Sequence, residues 1–185
     1  MSDVEEWIKK DGELFLKSIG MKSSDFILDF GSGDGHYTIP AAKVAGSKGK
    51  VYAFDKDKNA LDKIKEAAEQ FGLGNIKLIN GDTKLSLENN SVDMALCFDV
   101  IHYEKNREKI YREIHRVLKS GGIFSVYPKH YKKDFPLMEL AGMELDNIKK
   151  EIEECGFYLQ DKFLKELLHD DYYTKGYILN LIKSG

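Results

Sequence analysis

The segment Gly31-Ser32-Gly33-Asp34-Gly35 follows directly on the apolar run Phe26-Ile27-Leu28-Asp29-Phe30. Glycines at the end of a strand let the backbone turn sharply and let a ligand lie against it with no Cβ in the way. A helix opening just beyond adds unpaired N–H groups and a positive dipole end. Carboxylates recur in step with this loop. Asp29 lies two residues before Gly31, Asp55 twenty residues after Gly35, and Asp82 just past a third apolar run. An acid at the position of Asp55 can accept both hydroxyls of an adenosine ribose, and one at Asp82 can accept from an adenine amino group. A single Asp at a strand end is an ordinary turn residue; three behind a glycine loop form an ordered set. The spacing departs from the dinucleotide fingerprint, because the third glycine arrives one residue early and His36 stands in its place. Asp29 and Asp34 would repel a pyrophosphate, whereas they suit a ligand carrying an ammonium and a sulfonium. A nicotinamide-dependent oxidoreductase is therefore disfavoured.

The elements that position these residues alternate. Strands are predicted at 26–30, 50–55, 76–79, 92–98 and 123–127. A helix over 37–45 tolerates Pro40 in its first turn. A second starts at the N-cap Asp57, with Leu61, Ile64, Ala68 and Phe71 on one face. A third carries Ile110, Ile114, Val117 and Leu118 and stops at Gly121-Gly122. A fourth carries Leu145, Ile148, Ile152 and Cys155 and stops at Gly156. Two last strands, 157–167 and 177–182, flank a polar turn at His169-Asp170-Asp171 and should form an antiparallel edge hairpin. The fold class is α/β: a Rossmann-like, seven-stranded, mostly parallel sheet with helices on both faces. The first 20 residues form a helical segment, residues 128–145 a substrate-side insertion, and 1–185 reads as one domain.

Composition sets outer bounds. A chain of 185 residues can bury a core without staples. No apolar run approaches a membrane span, and the polar, acidic N-terminus lacks the apolar stretch of a signal peptide, so a cytoplasmic location is expected. With 28 Lys+Arg against 31 Asp+Glu, bulk nucleic-acid binding is disfavoured. The cysteines, Cys97 and Cys155, both fall on apolar faces and read as buried reduced thiols. No metal site is expected.

In these motifs the chain resembles the class I S-adenosylmethionine-dependent methyltransferases, and in particular the small branch that includes the ubiquinone/menaquinone-biosynthesis type. The first motif is 27–35, the acidic second strand is 51–55, and Asn80-Gly81-Asp82-Thr83 forms the adenine corner. Ser91 to Leu96 with Ile101-His102 matches the fourth-strand block, and Arg116 to Gly122 the block before the fifth strand. The resemblance implies S-adenosylmethionine as cofactor and S-adenosylhomocysteine as product. It also implies roles. The backbone of Gly31, Ser32 and Gly33 lies against the methionyl part, and Asp29 holds its amino group. Asp55 takes the ribose, the stem of Lys56 packs on the adenine, Asp82 and the Thr83 amide read the base, and the Phe98 carbonyl takes the ammonium. Asp93 fits the motif but reads better as a turn residue at the start of its strand.

Methyl transfer from a sulfonium is an in-line displacement in which the protein supplies orientation, desolvation and at times a base. The acceptor then lies past the fourth and fifth strands, near Asp99, His102, Tyr103, Tyr127, His130 and Tyr131. His102 is the candidate base because an imidazole titrates near neutrality; packing is its plain alternative. Asp99 either orients an acceptor or caps the next helix, and Tyr127 either lines a pocket or fills the core. Lys129-His130-Tyr131-Lys132-Lys133 either attracts an anionic acceptor or is a solvated loop. His169-Asp170-Asp171 reads as a hairpin turn, on the same rim if the strand before it is parallel, and not as metal ligands. The chain lacks the Pro-Pro motif of amino-methylating nucleic-acid enzymes and the Pro-Cys of cytosine C5 chemistry, so a small-molecule acceptor is expected. The alternative is action on, or docking to, a protein or RNA partner, which an exposed apolar patch at Trp7, Ile8 and Phe15 would favour.

Overall fold

The central runs, 26–30 and 92–98, are short and mostly apolar, as strands covered on both faces must be. In the computed structural model, which describes residues 2–131 and 138–185, these runs join one seven-stranded sheet of order β3-β2-β1-β4-β5-β7-β6. The strands are β1 (Phe26–Phe30), β2 (Lys50–Asp55), β3 (Ile76–Asn80), β4 (Val92–Phe98), β5 (Leu118–Tyr127), β6 (Phe157–His169) and β7 (Tyr172–Lys183). The first five pair in parallel, and β7 runs antiparallel to both β5 and β6.

Alternation along β4 supplies both faces. Ala95 and Cys97 face a core shared with α5 (Arg107–Val117) and α6 (Leu145–Glu153). Leu96 and Phe98 face a second core shared with α3 (Thr38–Ala45) and the N-terminal helices. Helix α4 (Lys58–Gln70) begins where Asp57 accepts the Asn59 amide at 2.8 Å. The N-terminal segment is α1 (Asp3–Glu6), a π-helical turn (Trp7–Asp11) and α2 (Gly12–Ser18). Its apolar side is covered: Trp7 is 1% and Phe15 6% exposed, and the Trp7 indole donates to the His36 carbonyl. The exposed patch considered for partner docking is thus a packed interface of the domain itself.

Three expectations are corrected. The helix carrying Ile110 and Ile114 ends at Val117, and Leu118 already pairs with Val92 in β5. The pairing resumes at Ile123 opposite Met94, so Gly121 and Gly122 sit in a bulge within the strand and cap no helix. The hairpin strands are longer than the apolar runs suggest, and the turn shrinks to Asp170-Asp171, with His169 paired to Tyr172. Asp93 does tie the sheet at its start: it accepts from the Phe26 amide and from Lys119 Nζ, at 2.8 and 2.7 Å. Both cysteines are free and buried.

Candidate functional site

A cavity of about 240 Å³ opens at the carboxyl ends of β1, β2 and β4, where the parallel strand order reverses. One wall is the glycine loop. Gly31 has φ +75°, and a Cβ there would meet Val100 Cγ2 at 2.3 Å, so the position requires glycine twice over. A Cβ on Gly33 would meet nothing within 4 Å, so the open side of the loop is here. The floor is aromatic: the Phe30 and Phe54 rings lie 4.9 Å apart.

The opposite wall is charged. Asp55 and Lys56 come from the end of β2, Asp82 from beyond β3, and Asp99 and Glu104 from beyond β4. Both Asp55 oxygens are already fixed, one by the Gly33 amide at 2.8 Å and one by the Asp57 amide at 2.9 Å. Each keeps a further lone pair for a ligand hydroxyl. Asn80 holds the β2 end from the side, donating to the carbonyls of Asp55 and Lys56. Thr83 follows Asp82 on the rim, half-buried.

Asp29 lies beneath the loop, 3% exposed, accepting from the Thr38 hydroxyl at 2.5 Å. Burial lifts its carboxyl to about 7, the Thr38 bond pulling down and nearby Asp55 pushing up. Ser32 is also buried, and its Oγ has no partner among the described residues. Asp34, by contrast, turns outward to Lys63 at 2.7 Å. The acidity of the cleft therefore comes from Asp55, Asp82, Asp99 and Glu104 and not from Asp34. The Phe98 ring packs edge-on against Phe15 and Tyr37, which anchors the strand end just before Asp99.

Beyond the end of β4 the structure brings His102 near a histidine to which the sequence reading gave no role. His102 is 1% exposed on a 3-10 turn (Ile101–Tyr103), and its carbonyl accepts from Glu139 in the 128–145 insertion. Burial, with His130 and His169 nearby, lowers its imidazole to about 4, so it is neutral at physiological pH. That second histidine is His169, whose turn was expected on this rim if its strand ran parallel, as β6 does to β5. It is 4% exposed, and its Nδ1 lies 2.8 Å from Asp99 Oδ2. The Asp99 carboxylate holds this imidazole above its ordinary range, while burial lifts Asp99 above the usual carboxylate range. The His130 ring stands between, 4.9 Å from His102 and 5.2 Å from His169. Tyr127 is buried 6.3 Å from His169 and packs so tightly on β7 that a Cβ on Gly176 would meet its ring at 2.3 Å. Of the lysine-rich segment, Lys132 and Lys133 lie outside the described residues, as does Pro136.

A larger hollow of about 400 Å³ lies between α5 and α6, but its Arg107 is spent in a bidentate pair with Glu151. Among the described residues no group of side chains is suited to hold a metal, and no helix is long and apolar enough to cross a membrane.

Residues 21–174 match a family model described as a methyltransferase domain. A probable cobalt-precorrin-6B C(15)-methyltransferase (decarboxylating) of Saccharolobus solfataricus is 39% identical over 111 residues, covering 60% of this chain and 56% of that protein. A demethylmenaquinone methyltransferase of Geobacillus stearothermophilus is 30% identical over 109 residues, covering 58% and 47%. The chain thus spans about half the length of the curated relatives it matches. Among solved structures, an S-adenosylmethionine-dependent methyltransferase from Aquifex aeolicus superimposes with a TM-score of 0.79 at 23% identity, over 98% of this chain and 94% of that one.

Proposed function

Because the chain belongs to the class I S-adenosylmethionine-dependent methyltransferases, we propose that it moves a methyl group from that cofactor to a small-molecule acceptor by in-line displacement. The observation that carries this reading is the charge of the cleft, where, among the described residues, four carboxylates and one lysine surround a glycine loop. Such a wall attracts a sulfonium and repels a pyrophosphate.

When bound, S-adenosylmethionine supplies a methyl carbon made electrophilic by the sulfonium. The chain's own groups bind and orient it. Asp55, already fixed by two amides, takes the ribose hydroxyls. Asp82 and the Thr83 amide read the adenine, and the Lys56 stem covers it. Gly31, Ser32 and Gly33 present their backbone to the methionyl part, with the Phe98 carbonyl and Asp29 facing its ammonium. The orphaned Ser32 Oγ and the buried Asp29 carboxyl are polar groups that such a ligand would satisfy. His102, Asp99 and Tyr127 stand on the acceptor side. His102, neutral and buried, packs and shapes this side, and its low imidazole range makes it a weak base.

The names of the curated relatives, a cobalt-precorrin and a demethylmenaquinone methyltransferase, favour a small-molecule acceptor over a macromolecule. Calorimetric titration with S-adenosylmethionine, S-adenosylhomocysteine and NADH tests the reading. Micromolar binding of the first two and none of the third is expected; binding of NADH alone would overturn it.

A further inference from the structure

The Asp99–His169 pair joins two elements that are 70 residues apart in sequence, the end of β4 and the tip of the β6–β7 hairpin. Asp99 lines the cavity, and one of its oxygens, Oδ2, is engaged by His169. The other, Oδ1, is buried and has no partner among the described residues. A carboxylate oxygen removed from water and left without a donor is costly, so the site is built for a ligand that brings one. The backbone points the same way. Asp99 and His130 have positive φ (60° and 61°), a conformation non-glycine residues adopt at a cost, and both lie at this pair.

We propose that Asp99, fixed by His169 as a positioning residue, receives the N–H or O–H of the methyl acceptor at Oδ1, so that the substrate is a hydrogen-bond-donating nucleophile, an amine or a hydroxyl compound. This deepens the reading above and rests on it. The acceptor's lone pair forms the new bond to the methyl carbon, and the carbon–sulfur bond breaks with its electrons left on sulfur. The acceptor's proton passes to Asp99 Oδ1. Burial lifts Asp99 above the usual carboxylate range, which makes it a better proton acceptor than a solvated carboxylate. His169 holds the other oxygen and keeps the carboxylate from rotating or recruiting water. An acceptor that donates suits Oδ1 better than the anionic one that the lysines near 129 suggested, which would meet Asp99 as a like charge.

The test needs no known acceptor. Sinefungin carries a protonated amine where the sulfonium methyl sits, and so probes what faces the methyl. Titrations of the whole chain with S-adenosylhomocysteine, sinefungin and 5′-methylthioadenosine are compared for the wild type, Asp99→Asn, His169→Asn and His169→Phe. Sinefungin should bind the wild type about tenfold or more tighter than S-adenosylhomocysteine, as a charge-assisted bond implies. Asp99→Asn and His169→Phe should abolish that preference. His169→Asn, which keeps a donor near the position of Nδ1, should retain most of it. Methylthioadenosine lacks the amino-acid end and should bind all four alike, which reports that each variant is folded. No sinefungin preference in the wild type would overturn the proposal. So would an Asp99→Asn variant that loses S-adenosylhomocysteine but keeps methylthioadenosine, since Asp99 would then face the cofactor's own ammonium. Failure of every adenosyl ligand to bind the wild type would instead overturn the methyltransferase reading itself.

Discussion

Replacing Asp29 by asparagine is expected to stabilise the ligand-free protein above pH 7 while weakening its hold on the cofactor. The folded chain keeps this carboxyl protonated up to about 7, whereas an unfolded chain loses the proton near 3.8. Between those values the folded state binds more protons, so stability falls as pH rises through the window. Above it both states are ionised and the full penalty remains, at most ~4 kcal/mol at ~1.4 kcal/mol for each tenfold change. Asparagine carries no charge to bury and can still accept from Thr38, but its amide N–H groups lack a partner, which returns ~1–2 kcal/mol. A net gain of about 2 kcal/mol at pH 8 remains, or roughly 4–8 °C for a chain of this size. Urea unfolding of both proteins at pH 5 and pH 8 measures it. The wild type should lose stability across the interval beyond any change in the variant. A variant less stable than the wild type at pH 8, with the pH dependence unchanged, would refute the reasoning. The same carboxyl should release a proton when S-adenosylmethionine binds at pH 6, because a nearby ammonium favours its charged form. Calorimetry in buffers of different ionisation enthalpy reads that release.

Other outcomes follow from single contacts. Asp55→Ala frees the Gly33 and Asp57 amides together and removes the ribose acceptor, so cofactor affinity should fall by about 2–3 kcal/mol, some thirtyfold or more, in calorimetry. In a histidine NMR titration His102 should change protonation near 4 and His169 above 6.5, and Asp99→Asn should bring His169 down. Trp7→Ala should cost ~3 kcal/mol in urea unfolding, because a ring 1% exposed is lost and the His36 carbonyl loses its donor.

Much of this was legible in the sequence because local and global signals agreed. Apolar runs closing near Asp29, Asp55 and Asp82 gave the parallel strands, and they put Asp55 and Asp82 on the cavity wall, since in a parallel sheet a cleft opens at the strand ends. The misreadings arose where one residue serves two periods. Leu118 continues the apolar face of α5 by spacing, yet it opens β5 opposite Val92, and the glycines that resemble a helix stop form a bulge. The hairpin reads short because Lys162, Glu166 and Lys175 are polar, although edge and near-edge strands tolerate such residues on their solvated side. His169 followed by two aspartates reads as turn chemistry. Its partner Asp99 is far away in sequence, and only the hairpin's reach across β5 brings them together. One signal was present: the apolar pair Leu167-Leu168 runs directly into His169, and all three are buried.

The sheet order has a consequence for how the chain is made. The seventh strand is the last of them to be synthesised, yet it sits inside the sheet, between β5 and β6. A nascent chain that has emerged only through β6 presents the apolar flank of β5 with nothing to pair it, and β6 has no neighbour to join. The two strands must therefore arrive as a preformed hairpin, its turn at Asp170-Asp171 closing before it docks. Until then the glycine loop and its acids can assemble but His169 cannot reach Asp99. The glycine-loop wall is thus able to form during translation, and the Asp99–His169 pair only after the seventh strand has followed. Cofactor supplied during synthesis would stabilise the early half and shorten the time for which the β5 edge stands open to aggregation.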